Sequence, residues 1–238
     1  MEGNKRMNIA ITGANRGLGY ELTKKCVDLG HNVVACFRQK SDNADLQLLQ
    51  ENCSDNLLLV NMDVTQEKEV VQAAQAIKEK LGYLDAVISN AGILCDGDRV
   101  NDLLSIDIDE LRQSIEVNVI GPAMVIKYFY PLLKKNINSI FLTVTSEGGS
   151  IKNVGSGYPA YSISKSAENK LVAILDKTIS NVRVYAMHPG RVNTEMGRTT
   201  AQIEPPESAD GIYKIIMGET KIDNDVWFID YNGKTMDI

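Results

Sequence analysis

MNIAITGANRGLGYELTKKCVDLG, residues 7–30, decides the fold. It begins as a short run dominated by Ile9, Ile11 and Thr12, passes through the glycine-rich loop TGANRGLG (Thr12–Gly19), and continues as a helical segment that closes on Gly30. Strand, glycine turn and helix in that order make the first unit of a nucleotide-binding sheet. Glycine allows the tight turn and lets backbone approach a pyrophosphate, while the helix N-terminus offers free N–H groups and the positive end of its dipole. The spacing Gly13-x3-Gly17-x-Gly19 departs from the GxGxxG of the commonest fingerprint, so taken alone the loop is also readable as a plain conformational turn.

The same alternation continues along the chain. Apolar, β-rich runs at 31–38, 56–64, 84–92, 139–146, 182–190 and 226–233 predict six further strands. Segments at 43–53, 66–82, about 108–135, 161–179 and 208–218 predict the helices between them. The strands are nearly unbroken apolar runs, as expected where helices cover both sheet faces. The prediction is an α/β protein with a doubly wound parallel sheet of about seven strands, and one domain over residues 1–238. Residues 193–207, NTEMGRTTAQIEPPE, have no clear period and carry Pro205 and Pro206, so they read as a loop near the carboxyl ends of the strands, where ligands bind.

Composition sets the limits. The chain carries 25 basic and 31 acidic side chains, a net charge of −6, which argues against non-specific binding to nucleic acid or an anionic membrane. No apolar run approaches a membrane span, and the N-terminus MEGNKRMNIA lacks the apolar core of a signal peptide, so the expectation is a cytoplasmic protein. Cys26, Cys36, Cys53 and Cys95 are widely spaced with no CxxC pair, so neither a metal site nor a redox motif is predicted.

The end of the second strand bears on the cofactor. A carboxylate there would hydrogen-bond the ribose 2′-hydroxyl of NAD. This strand instead ends CFRQK, with Arg38 at the tip and the nearest acid, Asp42, beyond it; Arg16 adds a second guanidinium inside the glycine loop. Two guanidinium groups and no carboxylate suit a 2′-phosphate, which favours NADP(H) over NAD(H).

Six motifs then occur in order: TGANRGLG, NAG at Asn90–Gly92, VNVIG containing Asn118, TS ending at Ser146, YSISK at Tyr161–Lys165, and HPG at His188–Gly190. The set resembles the short-chain dehydrogenase/reductase family, and the TGANRGLG form with the tail FIDYNGKTMDI is similar to its carbonyl reductase and C-factor-like members. The resemblance implies a Rossmann-type fold and an oxidoreductase. It casts Tyr161 as the acid/base, Ser146 as the group orienting the carbonyl, Lys165 as tuning Tyr161 and binding the nicotinamide ribose, and Asn118 as holding a relay water. It places Gly13, Asn15, Arg16, Gly17, Leu18 and Gly19 at the cofactor, Asn90, Ala91 and Gly92 against its adenosine side, and Asp63 and Val64 at the adenine. Pro189, Gly190, Val192 and Thr194 would flank the nicotinamide. Relatives often pair through the long helices, here about 108–135 and 161–179, which implies a possible homodimer or homotetramer.

The chemistry also follows from the residues. Tyr161 and Lys165 are four apart and share a helix face. A free tyrosine ionises near ~10, and a neighbouring ammonium favours the phenolate. Such a pair passes a proton to a carbonyl oxygen as hydride reaches its carbon, and Ser146 can steady the developing charge. Tyr158 precedes Pro159, has no lysine four residues on, and reads as loop. His188 reads as a strand-end residue. Two departures from the family pattern stand out: Ser89 replaces the first asparagine of NNAG, and Ser146 lies fifteen residues before Tyr161, the extra length falling in the glycine-rich EGGSIKNVGSG, where Ser150 and Ser156 are alternative donors. The expected function is NADP(H)-dependent reduction of a small ketone, aldehyde or quinone. The competing reading is a dinucleotide-binding regulatory or signalling protein; a nucleotide-binding methyltransferase is disfavoured, having no use for Tyr-x3-Lys.

Overall fold

A computed structural model describes residues 6–39, 43–53, 55–100, 102–197 and 201–238. Its sheet has seven strands: β1 (Asn8–Thr12), β2 (Asn32–Phe37), β3 (Leu57–Asn61), β4 (Ala86–Ser89), β5 (Ile140–Val144), β6 (Arg183–His188) and β7 (Phe228–Asp230). They lie in the order β3-β2-β1-β4-β5-β6-β7, every neighbouring pair parallel. The order reverses direction between β1 and β4, which opens a crevice at the carboxyl ends of those two strands.

Successive side chains of a strand face opposite sides, and each side here has its own core. Ile9, Ile11, Val33, Ala35, Ile88 and Leu142 pack under α1 (Gly17–Asp28), α2 (Ala44–Asn52) and α7 (Pro205–Met217). Ala10, Val34, Cys36, Val87 and Phe141 pack under α3 (Glu67–Leu81), α5 (Gly121–Phe129) and α6 (Pro159–Thr178), with α4 (Ile108–Ile115) packed against α6. Both faces are therefore dry, which is why the strands read as unbroken apolar runs. All four cysteines are free, and burial pushes the Cys26 and Cys36 thiols up to about 12, leaving them inert. No helix among the described residues is long and apolar enough to cross a membrane.

Three segments differ from the sequence expectation. The helix expected over about 108–135 is broken: α4 passes through a π-helical turn, Glu116–Ile120, into α5, and a 3₁₀ turn follows at Tyr130–Leu132. The cause is Pro122, which has no N–H for the Asn118 carbonyl four residues back and whose ring crowds it. The helix expected over 161–179 starts at Pro159, because Pro is pre-organised for the first helical position. Likewise α7 begins at Pro205, inside the segment read as loop.

His31 joins β1, β2 and α7 in the first core. Its Nδ1 accepts the Met7 N–H at 3.1 Å, so Nε2 carries the proton and donates to the Tyr213 hydroxyl at 2.9 Å. Burial, with Arg6, holds the imidazole below its ordinary value. The unfolded chain thus takes up a proton near ~6.5 that the native state refuses, and the stability His31 contributes falls as pH drops below that point. Urea unfolding at pH 7.5 and 5.5 should show the gap between wild type and His31→Leu shrinking on acidification, by on the order of 1 kcal/mol per pH unit.

Candidate active site

A cleft of about 870 Å³ opens at the strand-order reversal. The first turn of α1 lies along it. Arg16, the residue before α1, makes no side-chain capping bond, so the first N–H groups of the helix are left for a ligand. Two glycines are required by geometry. A Cβ at Gly19 would lie 2.1 Å from the Gly13 carbonyl oxygen, and Gly13 has φ +64 with its Cα side pressed against Ala91. Asn90 fixes the turn: its Nδ2 donates to the Thr12 and Gly13 carbonyls at 3.0 and 3.2 Å, while the Thr12 hydroxyl accepts the N–H groups of Asn90 and Ala91. Open helix donors behind a turn that tolerates no side chain fit a dinucleotide pyrophosphate.

The residues assigned from sequence to the adenosine side line the same cleft. Arg38 is exposed at the tip of β2 with no ion pair among the described residues; Asp42 lies outside them. Asp63 accepts the Thr65 N–H and hydroxyl at 2.9 and 2.8 Å, which shapes the entry to α3, and Val64 beside it is buried. Arg16 behaves differently from the expectation of a free phosphate-binding cation. It is ion-paired with Glu195, bridging the glycine loop to the segment after β6. Asn15, Leu18 and Gly92 line the wall between, and Pro189, Gly190, Val192 and Thr194 line the opposite bank.

Ser146, Tyr161 and Lys165 meet at the other end. Ser146 ends the β5 segment, and its Oγ accepts the Gly148 N–H at 3.1 Å, which leaves the hydroxyl proton to be donated elsewhere. The Lys165 ammonium lies 5.6 Å from the Tyr161 ring centre and donates to the Val144 carbonyl at 3.0 Å. Asn118 is the one sequence-predicted site residue that does not line the cleft. Wholly buried in the π turn, it accepts the Ile93 N–H at 2.8 Å and donates to the Ile93 carbonyl and Ser164 hydroxyl, both at 2.9 Å. Of the alternative donors, Ser150 is buried with its Oγ accepting the Asn153 N–H. His188 accepts the Glu147 N–H on Nδ1, and burial holds it below the ordinary histidine value, so it is no reservoir of protons.

Two acids escaped the sequence reading. Asp98 is buried, and its carboxylate accepts the N–H groups of Ala160 and Tyr161 at 2.9 and 2.8 Å, capping α6 from a distant loop. Tyr158, at the head of α6, is left-handed with φ 55, a conformation uncommon for a residue other than glycine. Glu168 has a relative exposure of 0%, and its Oε2 accepts from Lys165 at 2.6 Å. Burial pushes the Glu168 carboxyl up to about 7, opposed by Lys165; burial in turn works against the Lys165 ammonium, but Glu168 and Tyr161 outweigh it and hold the ammonium charged. A distant loop cap leaves no signal in sequence. Glu168 did leave one, because three residues after Lys165 it lies on the lysine's own face.

Leu94, Arg99, Asn153, Tyr158, Met196 and Met236 also line the cleft. Arg99 donates to the Met196 carbonyl at 2.9 Å, tying the loop after β4 to the segment after β6.

With this geometry in hand, similarity to known proteins is informative. The family model described as short chain dehydrogenase matches residues 7–204. The chain is 30% identical over 233 residues to the short-chain dehydrogenase RED3 of Pyricularia oryzae, covering 92% of each. It is 30% identical over 189 residues to an NADPH-dependent pterin aldehyde reductase of Arabidopsis thaliana, covering 79% of this chain and 76% of the relative. Among solved structures, the carbonyl reductase Sniffer of D. melanogaster superposes with a TM-score of 0.86 at 26% identity, covering 98% of this chain and all of that one.

Proposed function

The chain belongs to the short-chain dehydrogenase family, an oxidoreductase working between alcohol and carbonyl, and from that premise we propose that it reduces a ketone, aldehyde or quinone with NADP(H). The observation that carries this reading is one continuous cleft with Arg38, which has no ion pair among the described residues, at one end and Ser146, Tyr161 and Lys165 together at the other. Similarity to an NADPH-dependent aldehyde reductase and to a carbonyl reductase supports it.

The nicotinamide, when bound, supplies the hydride. The protein's work is the rest. The N–H groups of Gly17, Leu18 and Gly19 would hold the pyrophosphate, Asp63 and Val64 the adenine, and Arg38 the 2′-phosphate. Pro189, Gly190, Val192 and Thr194 would flank the nicotinamide ring. The Ser146 hydroxyl, its acceptor capacity partly used by Gly148, would donate to the substrate oxygen and steady its growing charge. Tyr161 would give that oxygen its proton. Lys165 has spent two N–H groups on Val144 and Glu168, and its third is left for the ribose and Tyr161. The Asn118 side chain is spent on Ile93 and Ser164, so a relay water would be held by its backbone carbonyl, which Pro122 deprives of an α-helical partner.

NADPH fluorescence on titration, followed by turnover of a carbonyl panel, tests the proposal. Tight NADPH binding with no turnover across the panel would instead mark a regulatory protein. The cofactor preference is tested separately. Arg38→Ala should weaken NADPH by roughly ten- to a hundredfold and NADH little, the loss expected of one charge-assisted contact. Arg16→Ala should add less, because Glu195 already engages that guanidinium. Equal losses for both cofactors in the double variant would sink the NADP(H) assignment.

A further inference from the structure

A carboxylate with no exposure to solvent, placed directly on the lysine of the proton-transfer pair, calls for an explanation. Lys165 and Glu168 are 3% and 0% exposed, and they touch at 2.6 Å. Placing both charges out of water is costly, and hydrophobic residues of the same volume would serve packing as well or better. The pair is also incompletely satisfied, since Glu168 Oε1 is buried with no hydrogen-bond partner among the described residues. Packing therefore does not account for Glu168. Its position does: it reaches Lys165 from one helical turn further on, while Tyr161 lies one turn back, so the ammonium stands between phenol and carboxylate on one face of α6.

We propose that Glu168 is a positioning residue for the proton transfer: its carboxylate fixes the Lys165 ammonium between itself and the Val144 carbonyl, and sets how much of that positive charge Tyr161 feels. The inference rests on the reading of Tyr161 as the proton-transfer group. An ammonium with no counter-ion favours the phenolate strongly; one neutralised by a carboxylate in contact favours it less, and so keeps the phenol in the protonated form that reduction consumes. Glu168 thus biases the pair toward donating a proton rather than accepting one.

Other charges do not compete for this role. Among the described residues Lys165 is the only charged side chain that acts on Glu168. The ionisable groups on the elements packed against α6 are engaged elsewhere: Asp98 by the Ala160 and Tyr161 N–H groups, Glu110 by the Gly97 N–H, Glu147 by Arg191, and His188 by the Glu147 N–H. At the start of β6, Arg183 donates to the Ile215 and Ile216 carbonyls and acts on Tyr185. The remaining acids of α4 and the π turn, Asp109 and Glu116, are exposed.

The test compares wild type with Glu168→Gln in two ways. The first is the ionisation of Tyr161 in the cofactor-free protein, taken as the ultraviolet tyrosinate signal lost in Tyr161→Phe. The second is the pH profile of alcohol oxidation and carbonyl reduction. In Glu168→Gln the Tyr161 phenolate should be roughly ten- to a hundredfold more abundant at a fixed pH below its midpoint, and the acid limb of the oxidation profile should move down by about one to two pH units. Glu168→Asp keeps the charge at shorter reach and should shift both in the same direction by less; it also serves if Glu168→Gln does not fold. An unmoved tyrosinate titration in a folded variant, with both rates falling in parallel at every pH, would overturn the proposal and leave Glu168 a structural residue. If wild type turns over no carbonyl, the catalytic reading falls on that result, while the tyrosinate titration still decides what Glu168 does to Tyr161.

Discussion

On the proposed mechanism Tyr161→Phe should bind NADPH within about twofold of wild type and lose carbonyl reduction by roughly 10²- to 10⁴-fold, the usual worth of a positioned general acid. The substitution is clean because of what holds the residue. Its backbone N–H is pinned by Asp98 at 2.8 Å, and its ring faces Lys165 rather than any hydroxyl partner, so phenylalanine keeps the place and removes only the O–H. The glycine loop proposed to hold the pyrophosphate lies in a different part of the cleft and is untouched. Fluorescence titration and steady-state rates on the same sample separate the two effects. Full activity in this variant would refute the mechanism, and loss of NADPH binding would show that the phenol serves the cofactor instead.

Lys165→Met should abolish turnover and, at pH above about 7, should also destabilise the fold by up to about 3–5 kcal/mol, because there it leaves a buried carboxylate without its counter-ion. The cost has a pH signature. Glu168 already holds its proton up to about 7 in the native state, whereas an unfolded glutamate releases it near ~4.3. Between those values the native state binds more protons than the unfolded one, so stability falls as pH rises. Removing the ammonium extends that fall to higher pH, and the deficit of Lys165→Met measured by urea unfolding should be larger at pH 8 than at pH 6. Lys165→Met combined with Glu168→Leu should regain most of the stability and none of the activity. A deficit independent of pH would show that Glu168 is not the group left stranded.

Much of this arrangement was legible beforehand, for identifiable reasons. Strands covered on both faces have to be apolar throughout, so their positions stood out, and the strand–glycine–helix unit at residues 7–30 placed the crevice. The choice of Tyr161 over Tyr158 followed from helical spacing and from the proline between them. The rest depended on contacts between distant segments. The π turn at Glu116–Ile120 is one inserted residue in an otherwise helical pattern, and only Pro122 hinted at it. Asp98 reaches 62 residues along the chain to cap α6, and Arg16 reaches 179 to Glu195, distances over which no local spacing carries information. Glu168 was the exception, visible in principle as an acid on the lysine's own face.

The bonds from the loop after β4 have a consequence for redesign. Asp98 and Arg99 are adjacent: one holds the head of the helix that carries Tyr161, and the other holds Met196 across the cleft. Altering the length or sequence of this loop to admit new substrates therefore moves Tyr161, the proposed proton donor, and the far wall together. Among the described residues, the stretch 150–157 makes no such pair of bonds, and it is linked to the tail through Lys152 and Asn153. A library confined to that stretch can vary what enters while leaving the reaction geometry alone, whereas one centred on residues 96–100 trades selectivity against turnover with every change.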